Sequence, residues 1–159
     1  MPTTTLGATS SAVTALGIGT WSWGERLFWG YGKSYGCAQV KAAFEAALAA
    51  GITFFDTAEV YGLGESETLL GQFIQPQTLP VQVATKYGPL PWRTGVESVS
   101  QALTKSLKRL QLQQITLYQV HWPLTFFLSQ EKLMDVLADE VEKGRIASIG
   151  VSNYSAQQM

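Results

Sequence analysis

Asp56, Tyr61, Lys86 and His121 each stand where an apolar run gives way to a polar loop, in the stretches ITFFDTAEVYG, VQVATKYG and ITLYQVHWP. A carboxylate, a phenol, an ammonium and an imidazole gathered at one end of a sheet can move a proton at a carbonyl, because each can tune or orient another. An ammonium beside a phenol stabilises the phenolate, so Lys86 would lower the ordinary tyrosine pKa near 10 and make Tyr61 a better acid. Asp56 would hold Lys86, and a neutral His121 would hydrogen-bond the carbonyl oxygen. The set contains no nucleophile and no cluster of metal ligands. The carbon must therefore receive its electrons from elsewhere, and a nicotinamide hydride is the obvious donor.

Each residue also has an ordinary explanation. Asp56 could be a helix N-cap or turn residue, and Lys86 a lysine reaching out from a strand end. His121, the single histidine of the chain, could be a satisfied core residue, and Tyr61 a loop aromatic. Four such coincidences at equivalent strand ends are a weaker account than one shared site.

The elements that would position the set alternate between short apolar runs and helical stretches, which predicts repeated βα units and a parallel sheet. Strands are expected at Val13–Thr20, Ile52–Asp56, Val81–Lys86, Ile115–His121 and Ile146–Ser152. Helical spacing is visible in Val40, Ala43, Phe44, Ala47 and Leu48, in Val96, Val99, Leu103, Leu107 and Leu110, and in Leu133, Val136, Leu137 and Val141. Gly51 and Gly144 fall where helix C-caps belong. A doubly wound sheet and a (β/α)8 barrel both accept such repeats. Gly17-Ile-Gly19 lacks the third glycine of a dinucleotide fingerprint, and Gly32-Lys33-Ser34 has Leu27 where a phosphate loop needs glycine. Polar residues at the ends of several different strands favour the barrel.

Composition narrows the function classes. A net charge of -1 offers no basic field for nucleic acid. The run Lys105-Ser-Leu-Lys-Arg109 reads as the solvated face of a helix. One cysteine, Cys37, forms neither an internal disulfide nor a zinc signature. No window approaches the ~20 apolar residues of a membrane span, and the first residues lack the pattern of a signal or transit segment. A single domain in a reducing, cytoplasmic compartment is the expectation.

In these residues the sequence resembles the aldo-keto reductase superfamily. LGIGTWSWG, FFDTAEVYG, VATKYG, LYQVHWP and GVSNYS stand in that family's order, and WSWG, AEVYG and LPWR resemble the branch of cyanobacteria and plant plastids. The resemblance implies NADPH-dependent reduction of a small-molecule aldehyde or ketone, with Tyr61 as general acid, Asp56 and Lys86 as its tuning pair and His121 orienting the carbonyl. It also implies that Thr20, Trp21, Asp56, Ser152 and Asn153 contact NADPH/NADP+, with Ser152 and Asn153 on the nicotinamide carboxamide. Trp23, Phe28, Trp29, Tyr31, Tyr35 and Trp122 are candidates for an aromatic substrate pocket.

The expected fold is α/β: a partial (β/α)8 TIM barrel of about five βα units with an N-terminal hairpin. Residues 1–159 correspond to the N-terminal portion of the family's barrel, without strands six to eight. An open barrel leaves its first and last strands as unpaired edges, so self-association is expected. A non-catalytic, regulatory module built on the same half-barrel is the alternative to an active enzyme.

Overall fold

The computed structural model of the chain describes residues 1–7, 11–124 and 126–159. Strands β1 (Thr3–Thr5) and β2 (Ala12–Thr14) form a small antiparallel hairpin. Five parallel strands follow in sequence order: β3 (Gly17–Gly19), β4 (Phe54–Asp56), β5 (Gln82–Tyr87), β6 (Ile115–Val120) and β7 (Ile146–Val151). Helices α1 (Cys37–Ala49), α2 (Glu65–Ile74), α3 (Glu97–Leu110) and α4 (Gln130–Glu142) occupy the four crossovers. Each strand pairs with the one before and after it, which is the order of a barrel wall rather than of a doubly wound sheet. Among the described residues, β3 and β7 are the edges of this sheet.

Alternation along the strands separates two faces. Phe55, Val83, Tyr87, Tyr118 and Val120 point toward the helices and join the main apolar core with Phe44, Leu70, Leu103 and Leu137. The opposite face carries Asp56, Lys86 and Gln119, and the register sets Asp56 beside Ala84 and Lys86 beside Gln119. The hairpin reaches this side too, where Ser11 Oγ lies 3.2 Å from Ser148 Oγ of β7. The helix stops follow from the glycines: Gly51 and Gly144 adopt φ of +77° and +72° just past α1 and α4, a conformation that costs a residue without Cβ little.

Three expectations change. The continuous strand Val13–Thr20 is two strands, because the chain turns at Ala15 and Leu16, with Thr14 Oγ1 donating to the Leu16 carbonyl at 2.8 Å. Helix α2 has no counterpart in the sequence reading. It buries Leu69, Leu70 and Phe73, but it also buries the polar Ser66 and Glu67, which blurs the apolar periodicity. The basic run on α3 is only partly solvated: Lys105 and Lys108 are exposed, whereas Arg109 turns inward and donates from Nε to Glu67 Oε2 at 2.7 Å. Thr85 Oγ1 donates to the other oxygen of that buried carboxylate at 2.6 Å.

Gly71 lets α2 approach the end of α3. A Cβ there would run into the Arg109 carbonyl oxygen and lie 2.8 Å from the Leu110 carbonyl carbon. Alanine would gain ~1 kcal/mol of helix propensity, but overpacking against rigid backbone costs more. Gly71→Ala is expected to destabilise the chain by about 2 kcal/mol, whereas Gly19→Ala, with no atom within 4 Å of its Cβ, should change stability by about 0.5 kcal/mol or less. Chemical denaturation of the two variants beside the parent checks the contrast.

Candidate active site

Asp56 is the last residue of β4, Lys86 the penultimate residue of β5, and His121 follows β6 directly. Tyr61 opens a short 3-10 turn, Tyr61–Gly64, leading into α2. That turn bends through Gly62 and Leu63 at φ of +57° and +56°. Gly62 is required there, since a Cβ would lie 2.7 Å from the Gly24 carbonyl oxygen. The loops thus bring the four residues to one rim of the sheet.

Lys86, only 5% exposed, spends its ammonium on two acceptors, Asp56 Oδ1 at 2.5 Å and the Thr57 carbonyl at 2.8 Å. Its Nζ also sits 5.1 Å from the centroid of the Tyr61 ring. The second oxygen of Asp56 accepts a hydrogen bond from Gln119 Nε2 at 3.2 Å. The sequence reading missed Gln119, although it lies two residues before His121 and therefore on the same strand face. The Tyr61 and His121 rings meet edge-on, with centroids 5.8 Å apart.

Electrostatics assigns protonation states. Burial first, and then the Lys86 charge, holds His121 down to about 4, so its ring is neutral at pH 7. Among the described residues His121 Nδ1 is buried with no hydrogen-bond partner. An unpaired N–H costs more than an unpaired lone pair, which places the ring proton on Nε2. Burial, followed by the Asp56 charge, pushes the Tyr61 phenol above its ordinary value of 10. The expected lowering by Lys86 is therefore not the net effect in this chain. The ammonium is engaged by Asp56 and Thr57, while the Asp56 carboxylate opposes a second negative charge. Tyr61 carries its proton at neutral pH.

The remaining expected contacts divide. Trp21 is half exposed and lies against Tyr61 and Trp29, with centroids 6.2 and 5.6 Å away. Thr20 is fully buried, and its hydroxyl is used within the scaffold, donating to the Asp56 carbonyl at 3.1 Å and lying 2.8 Å from Ser66 Oγ. Ser152 follows β7 and donates its backbone N–H to the Val120 carbonyl at 2.8 Å. Asn153 has φ of +61° and directs its amide nitrogen to the His121 carbonyl at 2.8 Å. Both therefore stand on the rim beside His121.

Of the aromatic candidates, Trp122 stacks on His121 at 3.8 Å with the planes 4° apart. Phe28 and Trp29 are exposed. Trp23 is a correction: it is buried with Phe44, Phe55 and Phe73 on the helix side, because the turn after Thr20 folds its ring under α1 and α2. Tyr31 belongs to the same core, and Tyr35 packs edge-on against it while donating its hydroxyl to the Ser22 carbonyl.

His121 couples acidity to stability. The unfolded chain takes up this proton near 6.5 and the folded chain only near 4. Stability that is complete above pH 6.5 is thus lost as the pH falls toward 4, by about 3 kcal/mol from this group. The histidine ring signal in a proton NMR titration should have its midpoint near 4, and His121→Gln should flatten the stability profile between those pH values.

Residues 15–159 match the Aldo/keto reductase family. The chain is 42% identical to the chloroplastic pyridoxal reductase of Arabidopsis thaliana, over 93% of this chain and 44% of that protein. It is 34% identical to the aldo-keto reductase YhdN of Bacillus subtilis, over 100% of this chain and 49% of that protein. An aldo-keto reductase of Klebsiella pneumoniae solved in complex with NADPH superimposes with a TM-score of 0.78 at 31% identity, over 93% of this chain and 48% of that one. The chain spans about half the length of these proteins, and its five-stranded parallel sheet forms part of their barrel. On the profile match, the identity and the shared fold, the chain belongs to the aldo/keto reductase family.

Proposed function

We propose that the chain carries the proton-transfer machinery of an NADPH-dependent reductase of aldehydes or ketones, with Tyr61 as the proton donor. The single observation behind this reading is the convergence of a protonated Tyr61, a buried Lys86 paired with the partly exposed Asp56, and a neutral His121 on one rim. In this reading residues 1–159 are the N-terminal portion of a (β/α)8 barrel.

The residues of the rim fit a nicotinamide. Ser152 and Asn153 offer a hydroxyl and an amide beside His121, the donor and acceptor types that a carboxamide requires, and Trp21 supplies an exposed aromatic surface. NADPH, when bound, supplies the hydride that reduces the carbonyl carbon. The chain's own residues handle the oxygen. Nε2–H of His121 donates a hydrogen bond to it and sets its direction. The Tyr61 hydroxyl then gives up its proton to the oxygen as the C=O bond becomes an alcohol. The phenolate left behind faces the Lys86 ammonium across its ring, which offsets the upward push of burial and Asp56 at the moment charge develops. Asp56 in turn holds Lys86 in place.

Trp21, Trp29 and Trp122 surround this point with aromatic surface. The plant relative is a reductase of pyridoxal by name, which makes that flat aromatic aldehyde the first substrate to assay.

Titration of the 159-residue chain with NADPH, followed by nucleotide fluorescence, should show saturable binding, with pyridoxal-dependent oxidation of NADPH above background. Tyr61→Phe should lower turnover about 100-fold or more while leaving NADPH affinity within about twofold, because the lost hydroxyl acts chiefly in the transition state. Lys86→Met should do comparable damage. A Tyr61→Phe variant with unchanged turnover would remove Tyr61 as the acid. A folded chain that binds no NADPH would favour the non-catalytic module.

A further inference from the structure

Behind the rim, a pair of charges with no part in the proposed proton transfer closes around one glycine. Glu59 lies between Asp56 and Tyr61 in the chain and is only 8% exposed. Its Oε1 accepts the Gly88 backbone N–H at 2.6 Å and Arg93 Nη1 at 2.5 Å, and its Oε2 accepts Arg93 Nη2 at 2.7 Å. Arg93 Nη1 also donates to the Gly88 carbonyl at 2.9 Å, and the guanidinium stacks 4.8 Å from the centroid of Tyr87. Both backbone polar groups of Gly88 are thus held by one bidentate ion pair.

The space around Gly88 is filled by the neighbours of the site. A Cβ there would lie 3.4 Å from the Trp122 ring, 3.4 Å from Val60 and 3.5 Å from Glu59 Oε1. Trp122 is the ring stacked on His121, Val60 immediately precedes Tyr61, and Gly88 stands two residues after Lys86. A single junction therefore touches the chain on all three sides of the rim. Desolvation offsets much of the attraction within a buried ion pair, so such a bridge contributes little net stability. What a forked, bidentate contact supplies is geometry.

We propose that Glu59 and Arg93 are positioning residues whose bridge around Gly88 sets the placement of Tyr61 and Lys86 relative to His121. The proposal rests on the reading of those three as a carbonyl-reducing set, but its test needs no turnover. Tyr61, Lys86 and Trp122 face the His121 ring, with Asp56 beyond Lys86. Because His121 is the only histidine, its ring signal reports this geometry alone.

The experiment records that signal, its titration midpoint and the melting temperature in the 159-residue chain and in Arg93→Met, Glu59→Gln, the double variant and Gly88→Val. Loosening the bridge should shift the signal as the Trp122 stack opens. It should also raise the midpoint from about 4 toward 6.5, by about one pH unit as the ring gains solvent. The double variant leaves no unpaired buried charge, so it should melt above Arg93→Met while keeping the displaced midpoint. Gly88→Val, whose methyl groups reach beyond a Cβ already in contact with Trp122 and Val60, should displace the signal with no change of charge, and it carries the test if a charge variant fails to fold. Variants that melt early yet keep the parental signal and midpoint would overturn the proposal and leave the bridge a structural contact. Failure of the reductase reading looks different: no NADPH binding by the parent, whatever the variants do to His121.

Discussion

A buried ammonium inside a parallel sheet constrains everything around it. Lys86 has almost no contact with solvent, and an uncompensated charge in such a place would cost several kcal/mol. It is tolerated because Asp56 from β4 and the Thr57 carbonyl converge on it, and because Gln119 from β6 holds the other oxygen of that carboxylate. Three adjacent strands contribute to the arrangement, so it specifies their register as well as the site. A slip of one residue would turn Lys86 toward the apolar helix side and leave its charge without a partner.

The same sheet supports two different interiors. On the helix side Trp23, Phe44, Phe55 and Phe73 form a dry aromatic cluster with ring centroids 5.0 to 6.5 Å apart. On the other side the strands present Asp56, Lys86 and Gln119. The close packing of the first makes the strands rigid, and a rigid wall is what holds polar side chains at fixed separations on the second. The lowered His121 and the raised Tyr61 both follow from their place on this wall, since burial is the leading cause of each displacement.

Much of this was legible in the residues themselves. The strands ending at Asp56, Lys86 and His121 announce themselves through apolar runs, and their polar ends are read directly as a site because parallel strands in a barrel all finish at the same rim. Gly51 and Gly144 mark the helix ends through their backbone freedom. What escaped the sequence depends on contacts distant in the chain. Helix α2 is obscured because Glu67 looks like a surface residue until Arg109 and Thr85 are seen to meet it. Trp23 looks like a pocket residue because it neighbours Trp21, but a single turn separates the core from the rim. The upward displacement of Tyr61 could not be read from composition, since it depends on how deeply the phenol is buried and how near the Asp56 carboxylate lies once the chain has folded.

The order β3-β4-β5-β6-β7 is also the order of synthesis. Every strand that joins the wall finds its partner already made, one crossover earlier, so no long loop must close before a contact is rewarded. A chain emerging from a ribosome can extend such a wall unit by unit from its N-terminal end. The part of the rim that gathers Asp56, Tyr61, Lys86 and His121 would then be complete as soon as β6 has docked and His121 has followed it.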